Sequence, residues 1–476
     1  MQSELIQPNP AMIGPFVLLL LAIALGPLVA KHAWEKHYPK VAIALGLVTL
    51  VYYCFGLNAY TRVFHTAHEY VSFIILIGAL FIVSGGIHIS VKGEATPLAN
   101  TVFLFIGAIL ANVFGTTGAS MLLIRPWIRM NKYRVTAHHT VFFMFIVSNV
   151  GGCLTPVGDP PLFLGYLKGI PFWWVAEHCW QIWLVGVGYL LGVFYVLDLM
   201  NYRRASIEVR QKLAEPRDIW RVQGLRNLLP LGAILGAVFI KNPPFLREAV
   251  MAAAAAASWL ATRKEIHQAN HFNFLPLREV AILFVGIFTT MMPALDWLLF
   301  NAHGLSSPSP AVFYWASGAL SSFLDNAPTY LSFLSAAFGS FVDPQTTETI
   351  QTAVHNHVTH LLDPQSPAAQ AIQNTLAAIE KYFPTDLANG TVSSEHVEVA
   401  YLIGNPSLNA YIVAISIAAV FFGANTYIGN GPNFMVKVIA DQQKVHNPDF
   451  VGLIVKYTLP VMLPLLVLVW LLFFRG

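Results

Sequence analysis

The chain has 476 residues, of which 56% are hydrophobic and 11% are charged. A typical soluble protein carries about 25% charged residues, so this chain has too little polar surface for a water-soluble body of its size. The composition argues against a soluble enzyme, a nucleic-acid binder and a secreted disulfide scaffold. The three cysteines form neither a disulfide framework nor a paired metal-ligand spacing.

Twelve apolar segments follow one another along the chain, and most are near the ~20 residues that a helix needs to cross the hydrocarbon core. They lie at about 11–30, 40–57, 69–91, 98–129, 139–168, 173–199, 227–240, 247–262, 279–300, 311–342, 406–440 and 450–474. A polar linker at 200–226 separates the first six from the last six. We therefore predict an all-α polytopic membrane protein with two membrane repeats, 1–199 and 227–476.

Two segments in each half are unusual. Segments 98–129 and 311–342 are too long for one span and have polar or proline-bearing centres, which predicts re-entrant hairpins. Segments 139–168 and 406–440 contain Gly and Pro, which break the helical hydrogen-bond ladder. Each half would then have about five crossings plus a hairpin and a broken helix. An odd number of crossings predicts that the two repeats are inverted.

The distribution of basic residues predicts the orientation, because cytoplasmic loops hold most Lys and Arg. Of the 27 basic residues, 21 fall in loops on one side of this topology, including the linker 200–226. We therefore predict an inner (plasma) membrane protein with a cytoplasmic linker and both termini outside. The polar insertion 343–405 holds seven acids and one base, Lys381. It would lie outside as a small cap or flexible loop, with a helix from Ser366 to Glu380.

Acidic residues at membrane depth are candidates for function because they are costly to bury. Asp159 and Asp325 sit at the breaks of discontinuous elements, one in each half, where half-helix ends and unwound carbonyls can bind an ion. The alternative is that each aspartate only caps a helix N-terminus. Asp296 lies near the outer end of its span, where it could carry protons or act as an interfacial anchor beside Trp297.

Neutral polar residues are concentrated at the same breaks and could supply oxygen ligands to Na⁺. The candidates are Thr116, Thr117, Asn149 and Thr155 in the first half, and Asn326, Asn430 and Asn433 in the second. The alternative is ordinary hydrogen bonding between membrane helices. We expect no metal site or cofactor, and we interpret His355, His357 and His360 as part of a solvated loop because no matching ligands accompany them.

Two motifs resemble those of a known group, the ion transporter superfamily. Ser148-Asn149-Val150-Gly151-Gly152, followed by Gly158-Asp159-Pro160-Pro161, resembles the Asn-x-Gly-Gly…Gly-Asp-Pro-Pro signature of that superfamily. Leu324-Asp325-Asn326-Ala327-Pro328 is similar to the Leu-Asp-Asn-x-Pro motif in its second half. The superfamily includes NhaD-type sodium/proton antiporters and citrate (CitMHS-like) transporters. The resemblance implies inverted repeats, elevator-like alternating access and a homodimer.

These observations favour a secondary active transporter, and our leading hypothesis is exchange of Na⁺ or another monovalent cation for H⁺. Asp159 and Asp325 would hold cation and proton in turn, since burial raises the pKa of a carboxyl group and a bound cation lowers it. The alternative is a citrate or dicarboxylate transporter coupled to Na⁺ or H⁺. An integral membrane enzyme is disfavoured because no nucleophile–base or metal-ligand set lies at one depth. The expected partners are membrane lipid and small ions or a small carboxylate, and not nucleic acid.

Overall fold

The computed structural model describes residues 7–90, 96–204, 221–240, 243–301, 308–358 and 366–475. The first part contains the helices α1 (Gly14–Val29), α2 (Lys31–Val51), α3 (Tyr60–Gly85), α4 (Pro97–Met130), α5 (Ala137–Ile146), α6 (Pro160–Leu167) and α7 (Trp174–Arg204). The second contains α8 (Leu228–Ala237), α9 (Leu246–Ala261), α10 (Lys264–Ala269), α11 (Leu275–Asn301), α12 (Pro310–Ser321) and α13 (Asn326–Phe341). It continues with α14 (Pro344–His355), α15 (Pro367–Tyr382), α16 (Pro384–Ala388), α17 (Ser394–Gly404), α18 (Asn409–Gly423) and α19 (Gly431–Gln442). The last span runs from α20 (Phe450–Leu453) through a π-helical stretch into α21 (Leu463–Phe473).

The predicted all-α polytopic membrane protein is confirmed. Six helices among the described residues are long and apolar enough to cross a membrane, and a seventh span arises if the bent pair α17 and α18 is counted as one. Several other predicted segments form shorter helices because Gly and Pro divide them. The inversion of the repeats, the orientation of the termini and the homodimer stay predictions.

The first long segment is a re-entrant hairpin, as predicted. The chain in α4 turns at Gly115, whose φ of 75° and ψ of 156° are not helical. The side-chain amides of Asn100 and Asn131 bond to each other at 2.9 and 3.0 Å. In a straight helix, residues this far apart would be separated by about 45 Å. The two arms of α4 therefore lie side by side, with their ends held together and the tip at Gly115.

Gly115 tolerates this turn because it has no side chain. Its backbone conformation is essentially restricted to glycine, and an added Cβ would also lie 3.1 Å from the carbonyl oxygen of Val157. We expect Gly115→Ala to destabilise the protein by about 1–3 kcal/mol, seen as a lower melting temperature in detergent. Gly188→Ala is the matched control, because no atom lies within 4 Å of an added Cβ on this α7 residue. Equal melting temperatures for the two variants would contradict the assignment of the hairpin tip.

The other discontinuous segments are also interrupted where the sequence predicts. α12 and α13 are separated by a break at 322–325, and α5 and α6 by irregular backbone containing a short 3₁₀ turn, Val150–Gly152. α18 and α19 are separated by an irregular stretch at 424–430. Asp159 is the N-cap of α6 and Asn430 is the N-cap of α19, and each is followed by a proline in the first two helical positions. Asp159 and Asn430 therefore occupy equivalent positions in the two halves. Of these two N-cap residues, only Asp159 is acidic.

The predicted linker 200–226 is partly structured. Residues 200–204 continue α7, and strand β2 (Arg221–Gln223) pairs antiparallel with strand β1 (His88–Ser90) just after α3. The side chain of Asn227 donates to the carbonyl oxygen of Gly86 at 2.8 Å. These contacts attach the end of the linker to the end of α3, while residues 205–220 lie outside the described part of the chain.

The described residues of the insertion 343–405 form four helices, α14 to α17, as expected for the small cap and not for the flexible loop. The predicted helix is confirmed at α15, and Ser366 caps it by accepting a hydrogen bond from the backbone N–H of Ala369 at 3.1 Å. Apolar residues of α14, α15 and α17 are buried, among them Ile350, Val354, Leu376, Ile379 and Val397. These side chains belong to the same hydrophobic core as those of the membrane helices. His360 lies outside the described residues.

Candidate functional site

The carboxylate of Asp159 is buried and accepts hydrogen bonds from side chains of both halves of the protein. Its residue is 1% exposed. Thr116 Oγ1 donates to Asp159 Oδ1 at 2.7 Å, and Asn430 Nδ2 donates to the same oxygen at 3.2 Å. Asn326 Nδ2 donates to Asp159 Oδ2 at 2.6 Å. The two hairpins and the two broken helices, far apart in sequence, thus meet at one carboxylate.

A second layer of amides holds this arrangement in place. Asn430 Nδ2 also lies 3.1 Å from Asn149 Oδ1, and Asn149 Nδ2 donates to Asn433 Oδ1 at 2.7 Å. Asn433 Nδ2 in turn donates to the carbonyl oxygens of Gly423 and Thr426, at 2.8 and 2.9 Å. The amides satisfy backbone groups that the break between α18 and α19 leaves without helical partners. Asn149, Asn430 and Asn433 therefore fix the geometry around Asp159.

The N-terminal ends of four helical segments converge at this site. Thr116 begins the return arm of α4 directly after Gly115, and Asn326 is the first residue of α13. Asp159 and Asn430 are the N-caps of α6 and α19. Each helix dipole places a partial positive charge at its N-terminus. The site therefore favours negative charge, whether on Asp159 or on a bound anion.

The site also has oxygen atoms suited to a cation. Oδ1 of Asn326, whose Nδ2 donates to Asp159, is buried without a hydrogen-bond donor in the described part of the chain. Buried acceptors rarely lack a partner, and oxygen ligands are those that a hard cation prefers. Among the described residues, the side chains that donate to Asp159 are hydroxyl and amide groups, and none is Lys or Arg. A monovalent cation or a proton would therefore complete the site.

A cavity lies beside Asp159, between the tip of α4 and the helix α3. Thr116 and Thr117 line it on the hairpin side, and Pro156 and Phe163 line it on the side of the broken helix. Leu76, Ile77 and Leu80 of α3 close it. Thr117 thus lines the cavity next to Asp159, and its part in binding stays a prediction.

Two predicted site residues have local roles. Oδ1 of Asp325 accepts a hydrogen bond from the backbone N–H of Ala327 at 3.0 Å, so Asp325 caps α13. Thr155 Oγ1 donates to the carbonyl oxygen of Asn112 at 2.7 Å and accepts from the N–H of Gly158 at 3.1 Å. Thr155 therefore shapes the turn that leads into Asp159. For Asp325 the contacts are those of the capping alternative, and Asp159 has no such capping bond.

Asp296 belongs to a different cluster. Tyr53 Oη donates to its carboxylate at 2.7 Å, and Arg62 Nε and Nη2 lie 3.0 and 2.9 Å from Oδ1. The structure therefore pairs Asp296 with a base on α3 and does not bring it to Asp159. The ion pair between Arg62 and Asp296 could not be predicted from the sequence because more than 230 residues separate the two.

A buried cluster around Asp198 escaped the sequence analysis. Asp198 of α7 is fully buried and forms an ion pair with Arg134, with 2.9 Å between Oδ2 and Nη2. Asn100 Nδ2 donates to Oδ2 at 2.8 Å, and His139 Nε2 lies 3.1 Å from Oδ1. The cluster joins the first arm of α4, the loop that follows its second arm, α5 and α7. The available signal was an acid near the end of the predicted apolar segment 173–199.

Comparison with known proteins agrees with this architecture. A family model, CitMHS_2, matches residues 7–474, and its description is "Putative citrate transport". A search of curated proteins gives no match. The family match spans both halves of the membrane part and every residue bonded to Asp159. The chain therefore belongs to this citrate transport family of multi-pass membrane proteins.

Proposed function

We propose that the protein is a secondary active transporter that carries citrate or a related dicarboxylate across the membrane, coupled to Na⁺ or H⁺ bound at Asp159. The family match supports the substrate class. The observation that supports binding of the coupling ion is the buried carboxylate of Asp159, which accepts hydrogen bonds from both halves of the chain. A charge at this depth is expensive to maintain without a function.

The cation would bind to oxygens that already face the site. Asp159 supplies the negative charge, Thr116 a hydroxyl oxygen, and Asn326 the amide oxygen that lacks a donor. A proton could occupy the same carboxylate in place of Na⁺. Asp325, which caps α13, would support the site by holding the helix that presents Asn326.

The substrate would bind next to the cation, at the converging helix ends. Helix N-termini attract carboxylates, but the negative charge of Asp159 repels them unless a cation or proton neutralises it. Binding of citrate would therefore require the coupling ion. This electrostatic condition gives the physical reason for coupled transport.

A cation/proton antiporter is the second candidate. The side chains bonded to Asp159 offer oxygen atoms and amides but no base among the described residues. This donor set suits a cation alone. In that case Asp159 would exchange Na⁺ for H⁺ without a carboxylate substrate.

Uptake of radiolabelled citrate by proteoliposomes tests the two candidates. We expect uptake driven by an inward Na⁺ gradient, an inward H⁺ gradient or both, and loss of uptake when an ionophore collapses that gradient. Protein-free liposomes are the control. Na⁺-dependent proton flux without citrate uptake would instead establish the antiporter. Absence of both activities in correctly folded protein would contradict both candidates.

A further inference from the structure

A second ion network lies at the far end of the half-helix that begins at Asp159. Lys168 is the C-cap of α6, and its Nζ lies 2.7 Å from Glu69 Oε1 of α3 and 2.8 Å from Glu395 Oε1 of α17. The side chains of Lys168 and Glu69 are 11% and 7% exposed. We call these residues, together with His65, the Lys168 network.

His65 completes the network on its more exposed side. Its Nδ1 lies 3.6 Å from Glu69 Oε1, and its Nε2 lies 3.7 Å from Glu395 Oε2. The network thus joins three parts of the molecule that are distant in sequence: α3, the end of α6 and the insertion. Two carboxylates share one ammonium group, and the imidazole lies between them.

The insertion also packs directly on the chain just after Lys168. Gly169 has a φ of +103°, and a Cβ at this position would lie 2.8 Å from Cδ2 of His396 on α17. The insertion therefore covers the end of α6 with side-chain packing as well as with charge. The insertion and this end of α6 lie on the side of the membrane that the distribution of Lys and Arg predicts to be external.

The network connects α6, which begins at Asp159, to α3, which packs against α9 and α11. α6 has eight residues and a length of about 12 Å, so a displacement of Asp159 relative to α3 would also displace Lys168. α3 is bound to α9 through Ser72 Oγ and Glu248 Oε1 at 2.5 Å, and to α11 through stacked Phe73 and Phe284. A transporter with alternating access must move one such body against another.

We infer that the Lys168 network is a gate on the insertion side, and that the contact between Lys168 and Glu69 breaks in each transport cycle. This inference rests on the proposed transport function and adds residues that hold one conformation closed. When the contact is made, α3, α6 and the insertion are held together. When it breaks, α6 and Asp159 are free to shift relative to α3.

The exposure of the partners is consistent with a contact that opens. The side chains of Lys168 and Glu69 are themselves 11% and 7% exposed, but they border His65 and Glu395, which are 45% and 35% exposed, so water reaches the network from that side. In the Asp198 cluster, by contrast, the aspartate side chain is 0% exposed and that of Arg134 is 3% exposed. Separating charges is far more costly where water cannot reach them. The two networks are therefore suited to different tasks, one to opening and one to permanent attachment.

Cross-linking tests whether the contact opens. In a full-length chain with Cys54, Cys153 and Cys179 replaced by alanine, Glu69→Cys and Lys168→Cys are joined by a short, reducible bifunctional thiosulfonate. We expect the joined protein to lose at least ~10-fold of its citrate uptake, and a reductant to restore the unjoined rate. Ser72→Cys with Glu248→Cys is the control pair, because both residues belong to helices that stay together. Full uptake with residues 69 and 168 joined would overturn the inference.

A second measurement does not depend on the transported substrate. Leu167→Cys on α6 serves as a reporter for a membrane-impermeant maleimide in the same cysteine-free chain. We expect Glu69→Gln to speed its labelling several-fold, because the gate loses one of its two carboxylates. Glu380→Gln, an exposed acid of α15, should leave the labelling rate unchanged. Equal labelling rates with and without Glu69→Gln would overturn the gate, even if citrate uptake is observed. Faster labelling without citrate uptake would support the gate and contradict citrate as the substrate.

Discussion

Replacing Asp159 with asparagine is expected to lower the apparent affinity for the coupling cation by about 10- to 100-fold, because interactions with a charged group contribute ~1.5–3 kcal/mol. The amide keeps the shape of the side chain and can still accept from Thr116. The Oδ1 atom of Asn326, which lacks a donor among the described residues, can accept from the new amide after rotation of the Asn326 side chain. The folded structure should therefore persist while the coupling is lost. The measurement is citrate uptake as a function of Na⁺ concentration and pH.

Two controls separate this effect from a general loss of protein. The melting temperature of Asp159→Asn in detergent should stay close to that of the parent. Asp449→Asn removes the carboxylate of another N-cap residue, one that is exposed and accepts from the N–H of Gly452 at 2.8 Å. It should retain normal cation dependence because it lies outside the site. An unchanged cation dependence of uptake in Asp159→Asn would refute the role of Asp159.

Replacing Asp198 with asparagine is expected to destabilise the protein by about 3–5 kcal/mol, since breaking a buried ion pair leaves an uncompensated charge. Arg134 would lose its carboxylate in surroundings where both side chains are almost inaccessible to water. His139 would lose the same partner. The expected result is a large fall in melting temperature and a smaller yield of monodisperse protein.

Asp441→Asn is the matched control for this variant. Asp441 pairs with Lys437 on α19 at 2.6 Å, and its side chain is 43% exposed. An exposed pair of this kind contributes only ~0.3–0.5 kcal/mol. If Asp198→Asn were as stable as Asp441→Asn, the cluster would not be the attachment point of α4, α5 and α7 that its burial indicates.

The sequence predicted the discontinuous elements well because their cause is local. The prolines after Asp159 and Asn430 restrict their own backbone, and Gly115 can adopt a backbone conformation that other residues rarely adopt, whatever lies around them. The same local chemistry identified Ser366 as the start of a helix within the insertion. The sequence left the insertion open between a small cap and a flexible loop, since its buried residues come from helices that are separated along the chain.

Membrane class, the hairpins, the broken helices and the presence of Asp159 at a break were thus determined by the sequence itself, through composition and the conformational limits of Gly and Pro. Only the tertiary structure distinguished Asp159 from Asp325, although both are helix N-caps next to proline-containing turns. The partners of Asp159 are 43, 167 and 271 residues away. The ion pairs of Asp198, Asp296 and Lys168 likewise form between distant segments. Hydrogen bonds and ion pairs act over a few ångströms in space, so their partners are set by how the helices pack.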